Sequence, residues 1–372
     1  MLKKLRLLIL LLVSFLLSPI IAFSQDAEKP KNDPIDLFNA LLASGNAKCD
    51  SAVAHKKNKD EKGAEKFYLN AIKDFKKAAK INNTSLPLYY AIATAQFKVK
   101  DFKGSEKSWK SAMDLDSIHS DPIREHGKVL FQLAKYEEAL ADFNKAININ
   151  FDDAEAFYER GKLKESAKDK TETFVDYTRA IEIKSNYEDP YLRRGILYNN
   201  FKKDYVLALN DLNKVIEINK DNVEAYLWRG KAKFNTGDFK GAEKDLSRFI
   251  DDDAFNIDAL ITRGASRINI NKNSGAVEDF DNVLKLDPKN YIAYMNRGTA
   301  KGGMKNFEGA LKDLDMAIAL KFDYSPAYIN RAAVKLASGD KKGACKDLQR
   351  ADGLNNEKAF PLIEKYCGES TR

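Results

Sequence analysis

The sequence repeats itself about every 34 residues, and this period constrains the possible folds more strongly than any single motif does. In each repeat a small residue stands at a fixed place, designated position 8, with steps of 34 residues and one step of 35. Units of this length cannot bury an apolar face alone and are stabilised by stacking on their neighbours. Such stacks usually provide binding surfaces, so the period favours binding over catalysis. The residues at position 8 are Ala93, Gly127, Gly161, Gly195, Gly230, Gly264, Gly298 and Ala332.

The pattern around position 8 predicts two antiparallel helices in each repeat. Position 20 is usually small as well, as in Ala139 and Ala242, whereas position 24 is large, as in Phe143 and Leu246. Small residues let two helix backbones approach closely, and the large residues fill the space beside that contact. Turn-forming residues at 237–238, 287–288 and 339–340 fall between the predicted helices. We therefore expect an all-α chain of stacked helical hairpins.

Two segments, Tyr226 to Ile250 and Tyr294 to Ile318, carry the aromatic, glycine, alanine and apolar positions in the order that makes the chain similar to tetratricopeptide repeat proteins. The resemblance covers residues 86–358 as eight repeats, here numbered 2 to 9. A degenerate repeat 1 lies within residues 35–85, where only the second helix fits the pattern, and a capping helix and tail follow at 359–372. The resemblance implies a right-handed α-solenoid of about eight to nine antiparallel helix pairs with a C-terminal capping helix.

Residues 1–24 have the pattern of a secretory signal peptide. Lys3, Lys4 and Arg6 precede an apolar run from Leu7 to Ile21, and small residues follow at the end of the segment. The alternative is an uncleaved anchor helix, but the run is shorter than the ~20 residues that span a bilayer. Residues 25–34 are polar with two prolines and are predicted to be a flexible lead-in. We expect an exported protein, periplasmic or secreted, without a membrane span in the mature chain.

The composition gives little support to nucleic-acid binding. Apolar residues make up 44% of the chain and charged residues 31%, as expected for amphipathic helices, and the net charge is +7. Three of the positive charges belong to residues 1–24, which contain no acidic residue. Basic and acidic residues alternate along the predicted helices and do not form a basic patch. We therefore expect no nucleic-acid partner.

Six aspartates are each followed by an arginine eighteen residues later. The aspartates stand at position 23 and the arginines at position 7 of the next repeat, so antiparallel packing predicts an ion-pair ladder that joins successive repeats. The residue inserted in the 35-residue repeat leaves this interval unchanged, which favours pairing between repeats. The alternative is a row of arginines that are free to bind acidic partners. The pairs are Asp142/Arg160, Asp176/Arg194, Asp211/Arg229, Asp245/Arg263, Asp279/Arg297 and Asp313/Arg331.

Two of the three cysteines are expected to form a disulfide. Cys345 stands at position 21 of repeat 9 and Cys367 at position 9 of the capping helix, so the same antiparallel register brings the two sulfurs together. In an exported protein this disulfide would hold the capping helix in place. The alternative is a pair of reduced, buried thiols. Cys49 has no candidate partner in the sequence.

The resemblance also indicates where a partner would bind, because the first helices of family members line the concave groove. Repeats 2–6 place an aromatic and basic set there, which suits an extended peptide with acidic and apolar side chains. Repeats 7–9 place a more apolar set there, which suits a helix or an oligomer contact. Packing between repeats is the alternative role of the aromatic residues. The aromatic and basic set comprises Tyr90, Phe97, Arg124, Lys128, Phe131, Tyr158, Lys162, Asn199, Asn200, Trp228, Lys231, Phe234 and Asn235. The apolar set comprises Ile261, Ala265, Ile268, Met295, Thr299, Gly302, Ile329, Ala333 and Leu336.

Catalytic chemistry has little support in the sequence. The only histidines are His55, His119 and His126, and none shares a helix face with a cysteine or another histidine at metal-ligand spacing. No phosphate-binding glycine loop or nucleophile motif is present. We therefore expect a non-enzymatic scaffold that binds a protein or peptide, with no metal or cofactor. The alternatives are an accessory subunit of cell-envelope assembly, secretion or polysaccharide machinery and, more distantly, an enzyme with an unrecognised site.

Overall fold

The computed structural model describes residues 33–167 and 170–368, and all regular secondary structure within these ranges is helical. The expected all-α solenoid of helix pairs is thereby confirmed. The chain forms two compact units that divide after Ser117. The predicted signal peptide, residues 25–32 of the predicted lead-in and the tail at 369–372 lie outside the described residues. Within the described ranges, no helix is both long and apolar enough to cross a bilayer.

Within residues 33–117, the described part of the first compact unit, there are four helices: α1 Pro34–Lys57, α2 Glu61–Ile81, α3 Leu86–Lys98 and α4 Phe102–Leu115. Repeat 1 is more complete than the sequence pattern indicated, because α1 supplies a first helix with its own small residue, Gly45, packed on Phe75. The α1 and α2 helices are 24 and 21 residues long, whereas α3 and α4 have 13 and 14 residues. This extra length moves the matching positions apart in sequence, so the first helix of repeat 1 does not follow the 34-residue spacing of the other repeats.

The second compact unit contains repeats 3 to 9 as the pairs α5–α6 to α17–α18, followed by the capping helix α19. Within this unit each helix packs against its chain neighbours, and the first helices α11, α13, α15 and α17 also contact one another in succession. The helices are α5 Ser120–Gln132, α6 Tyr136–Ile149, α7 Ala154–Ser166, α8 Lys170–Ile183, α9 Glu188–Leu197, α10 Tyr205–Ile218, α11 Val223–Asn235, α12 Phe239–Ile250, α13 Ile257–Asn269, α14 Asn273–Leu286, α15 Tyr291–Gly303, α16 Phe307–Leu320, α17 Ser325–Ala337, α18 Lys341–Asp352 and α19 Ala359–Cys367.

Short polar side chains fix where many of these helices begin. Asn256 accepts a hydrogen bond from the N–H of Ala259 at the start of α13, and Asp238 accepts one from Gly241 at the start of α12. In the repeats where the turn between the two helices is fully described, it contains a residue in the left-handed region, such as Gly237 with φ 85°. The sequence therefore specifies helix starts and turns locally, and packing specifies the rest.

The inserted residue of repeat 5 is absorbed by a turn of π-helix. This turn, Tyr198–Lys202, continues directly from α9 and ends at Lys203 in the left-handed region. A π-helical turn accommodates one more residue than an α-helical turn at the same point. The interval between Arg194 and Asp211 is therefore 17 residues, whereas the corresponding interval in neighbouring repeats is 16. The helices on both sides keep their packing register.

Candidate binding face and ion-pair ladder

The arginines at position 7 bind aspartates of their own repeat. In each pair Nε and Nη2 donate to the two carboxylate oxygens at 2.6–3.2 Å, which is bidentate geometry. The predicted pairing with the aspartate eighteen residues earlier is therefore wrong. The observed pairs are Arg160 with Asp176, Arg194 with Asp211, Arg229 with Asp245, Arg263 with Asp279, Arg297 with Asp313 and Arg331 with Asp347.

The third donor of each arginine joins adjacent repeats through a residue that the sequence pattern did not single out. Nη1 reaches position 25 of the preceding repeat, for example Asn144 from Arg160 at 2.8 Å and Asp281 from Arg297 at 2.6 Å. Each arginine therefore joins its own repeat to the preceding one, through the residue at position 25 and not through the aspartate at position 23 of that preceding repeat. The remaining contacts of this kind run from Arg194 to Thr178, Arg229 to Asn213, Arg263 to Ser247 and Arg331 to Asp315.

A second cation at position 11 usually shares the buried aspartate. Lys233 contacts Asp245 at 2.8 Å, and the same arrangement occurs four more times. Repeat 5 has Tyr198 at position 11, so Arg194 is the one cation that pairs with Asp211 within the described residues. Burial raises the pKa of Asp211, against the opposing effect of Arg194. The further shared pairs are Lys164 with Asp176, Arg267 with Asp279, Lys301 with Asp313 and Lys335 with Asp347.

Repeat 3 replaces the arginine with a histidine. Nδ1 of His126 lies 2.5 Å from Oδ2 of Asp142, so Asp142 is held by position 7 of its own repeat and not by Arg160. His126 is buried, and its Nε2 has no hydrogen-bond partner within the described structure. The ladder therefore stabilises the packing of the helices, with local variants such as His126. Its cations are already paired with carboxylates inside the protein.

All four cations of the predicted aromatic and basic set are also paired internally. Arg124 bonds Asp153 at 2.8 Å and also contacts Asp121, Glu125 and Glu155. Three lysines each have one carboxylate within 2.7–2.8 Å. This part of the first-helix face therefore offers little unpaired positive charge to an acidic peptide. The lysine pairs are Lys128 with Glu125, Lys162 with Glu159 and Lys231 with Asp258.

Two polar members of the predicted set are buried. Tyr158 packs against the rings of Tyr177 and Tyr187, and burial raises its pKa. Asn199 lies in the π-helical turn and donates to the carbonyl oxygen of Trp228 at 3.0 Å. Neither side chain can serve as a surface anchor. They act in packing, which was the alternative considered for the aromatic residues.

The other aromatic residues of the set form contacts with their own repeat. Trp228 stacks beneath Lys231, with Nζ 4.6 Å from its ring centroid, and donates from Nε1 to Glu224 at 3.3 Å. Tyr90 packs on Trp109 with ring centroids 5.0 Å apart. Asn235 is exposed and donates to the backbone of its own helix. The remaining ring pairs are Phe97 with Phe102, Phe131 with Tyr136 and Phe234 with Phe239.

The apolar set of repeats 7–9 forms a different kind of surface, here called the apolar face. Ile261 and Ile268 of α13 and Ile329 and Leu336 of α17 are half-buried, and Ala333 of α17 is exposed. The set also includes Thr299 and Gly302 of α15. A cavity of about 300 Å³ opens among these helices, and its lining contains no charged residue. Met295 belongs to the core beneath the face because it is buried. The lining also includes Asn271, Asn273, Phe307 and Asn330, which the sequence pattern did not place in this set.

A disulfide holds the capping helix. It joins Cys345 of α18 to Cys367 of α19, whose Cα atoms are 5.8 Å apart. Cys49 is free and half-buried, and its pKa is raised to about 11, mainly by burial and also by Asp50. Within the described residues, no group of three or more histidine, cysteine or acidic side chains is arranged to hold a metal ion.

Comparison with known proteins agrees with this repeat geometry. A family model described as a tetratricopeptide repeat matches residues 127–166, which begin at position 8 of repeat 3 and end with α7. The same register recurs in the other repeats, and the chain has the fold of a tetratricopeptide repeat protein. Members of this class are generally scaffolds for protein interactions, and the fold supports that role here. The comparison with curated proteins gives no match.

Solved structures with similar helices share little sequence identity with this chain. A tetratricopeptide repeat protein from Parabacteroides merdae is 17% identical, with 76% of this chain and 96% of that chain covered and a TM-score of 0.38. PilF of Pseudomonas aeruginosa is 14% identical, with 61% and 96% covered and a TM-score of 0.49. A MamA fragment from Desulfovibrio magneticus is 18% identical, with 45% and 94% covered and a TM-score of 0.41.

Proposed function

We propose that this protein is a non-enzymatic scaffold that docks an extended, largely uncharged segment of a partner protein on the apolar face of repeats 7–9. The observation that carries the proposal is the contrast between the two parts of the first-helix surface. Arg124, Lys128, Lys162 and Lys231 are occupied by internal carboxylates. The apolar face keeps accessible aliphatic and amide groups around a cavity without charged lining.

The chemistry of the apolar face sets the class of partner. Burial of aliphatic side chains would supply most of the binding free energy, at about 25 cal/mol per Å² of apolar surface. The amide of Asn330 can bond a peptide backbone, which fixes an extended segment without requiring charge. An acidic peptide gains nothing at such a surface. The partner segment should therefore carry apolar or aromatic residues at short intervals.

We also propose that the protein acts outside the cytoplasm. Two features support this location: the signal-like pattern of residues 1–24 and the disulfide between Cys345 and Cys367. A protein exported in oxidising surroundings would keep that disulfide. Fractionation of cells that express the full chain, followed by mass determination of its mature N-terminus, tests this point. Recovery of the protein in the cytoplasm with residues 1–24 still attached would contradict it.

Peptide selection tests the proposed docking face. Random peptides displayed on phage would be selected on the immobilised full chain and then tested on two variants. Ala333→Arg places a charge on an exposed position of the face, so the selected peptides should bind it at least tenfold more weakly. Met316→Lys, on the exposed side of α16, is the matched control and should bind them unchanged. Peptides that bind all three proteins equally would place the docking surface elsewhere.

A further inference from the structure

An aromatic ring pair recurs at positions 12 and 17, where the first helix of a repeat ends and the second begins. Ring centroids are 5.4 Å apart for Phe97 and Phe102 and 5.8 Å apart for Phe131 and Tyr136. A third pair, Phe234 with Phe239 in repeat 6, has centroids 5.5 Å apart. Each pair is tilted or edge-on, which is the favourable geometry for aromatic side chains. The repeat framework thus has a defined place for a ring against position 17.

Repeat 8 retains one ring of this pair and lacks the other. Phe307 stands at position 17 and is half-buried, but position 12 is Gly302. Both residues line the 300 Å³ cavity of the apolar face. A Cβ at Gly302 would lie 2.9 Å from Cγ2 of Val334, so the glycine lets α17 approach closely at this point. Because Gly302 has no side chain, one side of the Phe307 ring faces the cavity.

We propose that this cavity is a socket for an aromatic side chain of a partner peptide, which takes the place of the missing ring and packs on Phe307. The proposal rests on the docking function proposed above and specifies the anchor that the partner must carry. The internal ring pairs indicate the chemistry of the occupant. In repeats 2, 3 and 6 the residue at position 12 packs an aromatic ring on the residue at position 17. The uncharged lining matches an aromatic group and disfavours a charged one.

Amide groups at the edge of the socket suit the backbone of the same peptide. Nδ2 of Asn330 donates to Oγ1 of Thr299 at 3.0 Å, which leaves the Asn330 side-chain oxygen to accept a peptide N–H. The side chain of Asn273 rests over Gly303, where a Cβ would lie 2.7 Å from its Nδ2. Two consecutive glycines, Gly302 and Gly303, therefore admit a neighbouring helix and an amide while the ring position stays open. The socket therefore has apolar side chains at its base and amide groups at its edge.

Fluorine NMR with a single-residue probe tests the socket directly. N-acetyl-4-fluorophenylalaninamide would be titrated into the full chain, and binding would be followed by broadening of its ¹⁹F signal. A single side chain binds weakly, so a Kd on the order of 1 mM is expected. Phe307→Ala removes the ring that the probe packs on, and Gly302→Phe fills the socket. Each variant should weaken binding at least fivefold, whereas Phe239→Ala, in a repeat whose position 12 is occupied, should leave binding unchanged.

Several outcomes would overturn the proposal. Unchanged binding to Phe307→Ala would show that the probe binds elsewhere, and equal competition by N-acetyl-leucinamide would show that the socket does not select a ring. Self-association that Phe307→Ala abolishes would make a second copy of this chain the occupant. If Gly302→Phe is destabilised by its contact with Val334, the binding of the probe to Phe307→Ala still tests the proposal. Failure of the probe while selected peptides bind the Ala333-dependent face would remove only the socket, whereas the absence of selectable peptides would remove the docking function.

Discussion

At the residue scale, position 7 determines how the buried aspartate at position 23 is neutralised. Asp211 and Asp245 are both nearly inaccessible and both bind an arginine bidentately. They differ in their second cation, because Lys233 also contacts Asp245, whereas Arg194 is the one cation paired with Asp211 in the part of the chain that the structure describes. Removing one partner of a buried pair leaves a charge with no compensation, which is far more costly than replacing both partners.

This difference gives a prediction with an internal control. Arg194→Gln should lower the free energy of unfolding by about 3 kcal/mol, because Asp211 loses its cation. Arg229→Gln should cost clearly less, because Lys233 remains within 2.8 Å of Asp245. Urea unfolding of both variants with the full chain measures the difference. Equal costs would mean that the lysine at position 11 contributes nothing to the pair.

The cost of Arg194→Gln should also depend on pH. Burial already raises the pKa of Asp211, and loss of Arg194 would raise it further above the value in the unfolded chain. A group with a raised pKa in the folded state contributes less stability as the pH rises through that range. The penalty should therefore shrink as the pH falls from 7 to about 4, where Asp211 in the variant binds a proton. A penalty that is constant over this interval would contradict the assignment.

At the element scale, close approach of the two helices in a repeat depends on position 8. A Cβ at Gly161 would lie 2.6 Å from the ring of Tyr177, whereas one at Gly195 would lie 3.0 Å from Leu212. Tyr177 is fully buried and its hydroxyl donates to Glu165 at 2.6 Å, so its ring cannot easily move aside. A methyl group at position 8 would therefore meet a closer and less mobile side chain in repeat 4 than in repeat 5.

Alanine substitutions at these two glycines should have different outcomes. Gly161→Ala should destabilise the protein by about 1–3 kcal/mol through overpacking. Gly195→Ala should be near neutral, because the gain of about 1 kcal/mol in helix propensity offsets a smaller displacement of Leu212. Thermal unfolding followed by circular dichroism gives both values. The natural Ala93 and Ala332 at position 8 show that the framework accepts a methyl group where the opposing side chain can yield.

The sequence predicted the helical hairpins and their register, because small and large residues recur at fixed positions. It could not identify the partner of Asp176, because a second helix lies antiparallel to the first helix of its own repeat and to that of the next. The same register therefore suits Arg160 and Arg194, and only the packed structure distinguishes them. The eighteen-residue interval, which the insertion leaves unchanged, also favoured the wrong pairing between repeats. The π-helical turn lets Arg194 reach Asp211 across 17 residues.

The site was less predictable than the fold for a related reason. The sequence shows which residues face one side of the first helices, but it does not show which cations are already paired. Lys231 was predicted as a groove residue, and it is held by Asp258 of the next repeat. The cavity beside Phe307 depends on the lack of a side chain at Gly302. The sequence shows this glycine, but only the structure shows that a cavity lies beside it.

At the scale of the whole molecule, a stack of repeats is stabilised by contacts between neighbours, so its ends are the weakest points. The capping helix α19 has nine residues, and only Ala359 and Cys367 are buried. Its packing on Ala332 and Leu348 is therefore limited, and the disulfide to Cys345 supplies the restraint that the small contact area lacks. Disulfides of similar loop length typically contribute about 2–4 kcal/mol.

Loss of this disulfide should loosen the end of the stack and leave the interior intact. In Cys367→Ser, amide hydrogens of α19 should exchange at least tenfold faster, with a smaller effect in α18 and none in α13 and α14, because each repeat depends on its neighbours alone. Hydrogen exchange measured by mass spectrometry on the full chain reads all these helices at once. Cys49→Ser is the matched control and should leave the pattern unchanged, since that thiol forms no disulfide within the described residues. Uniform acceleration across the second compact unit would instead show that its repeats unfold as one cooperative block.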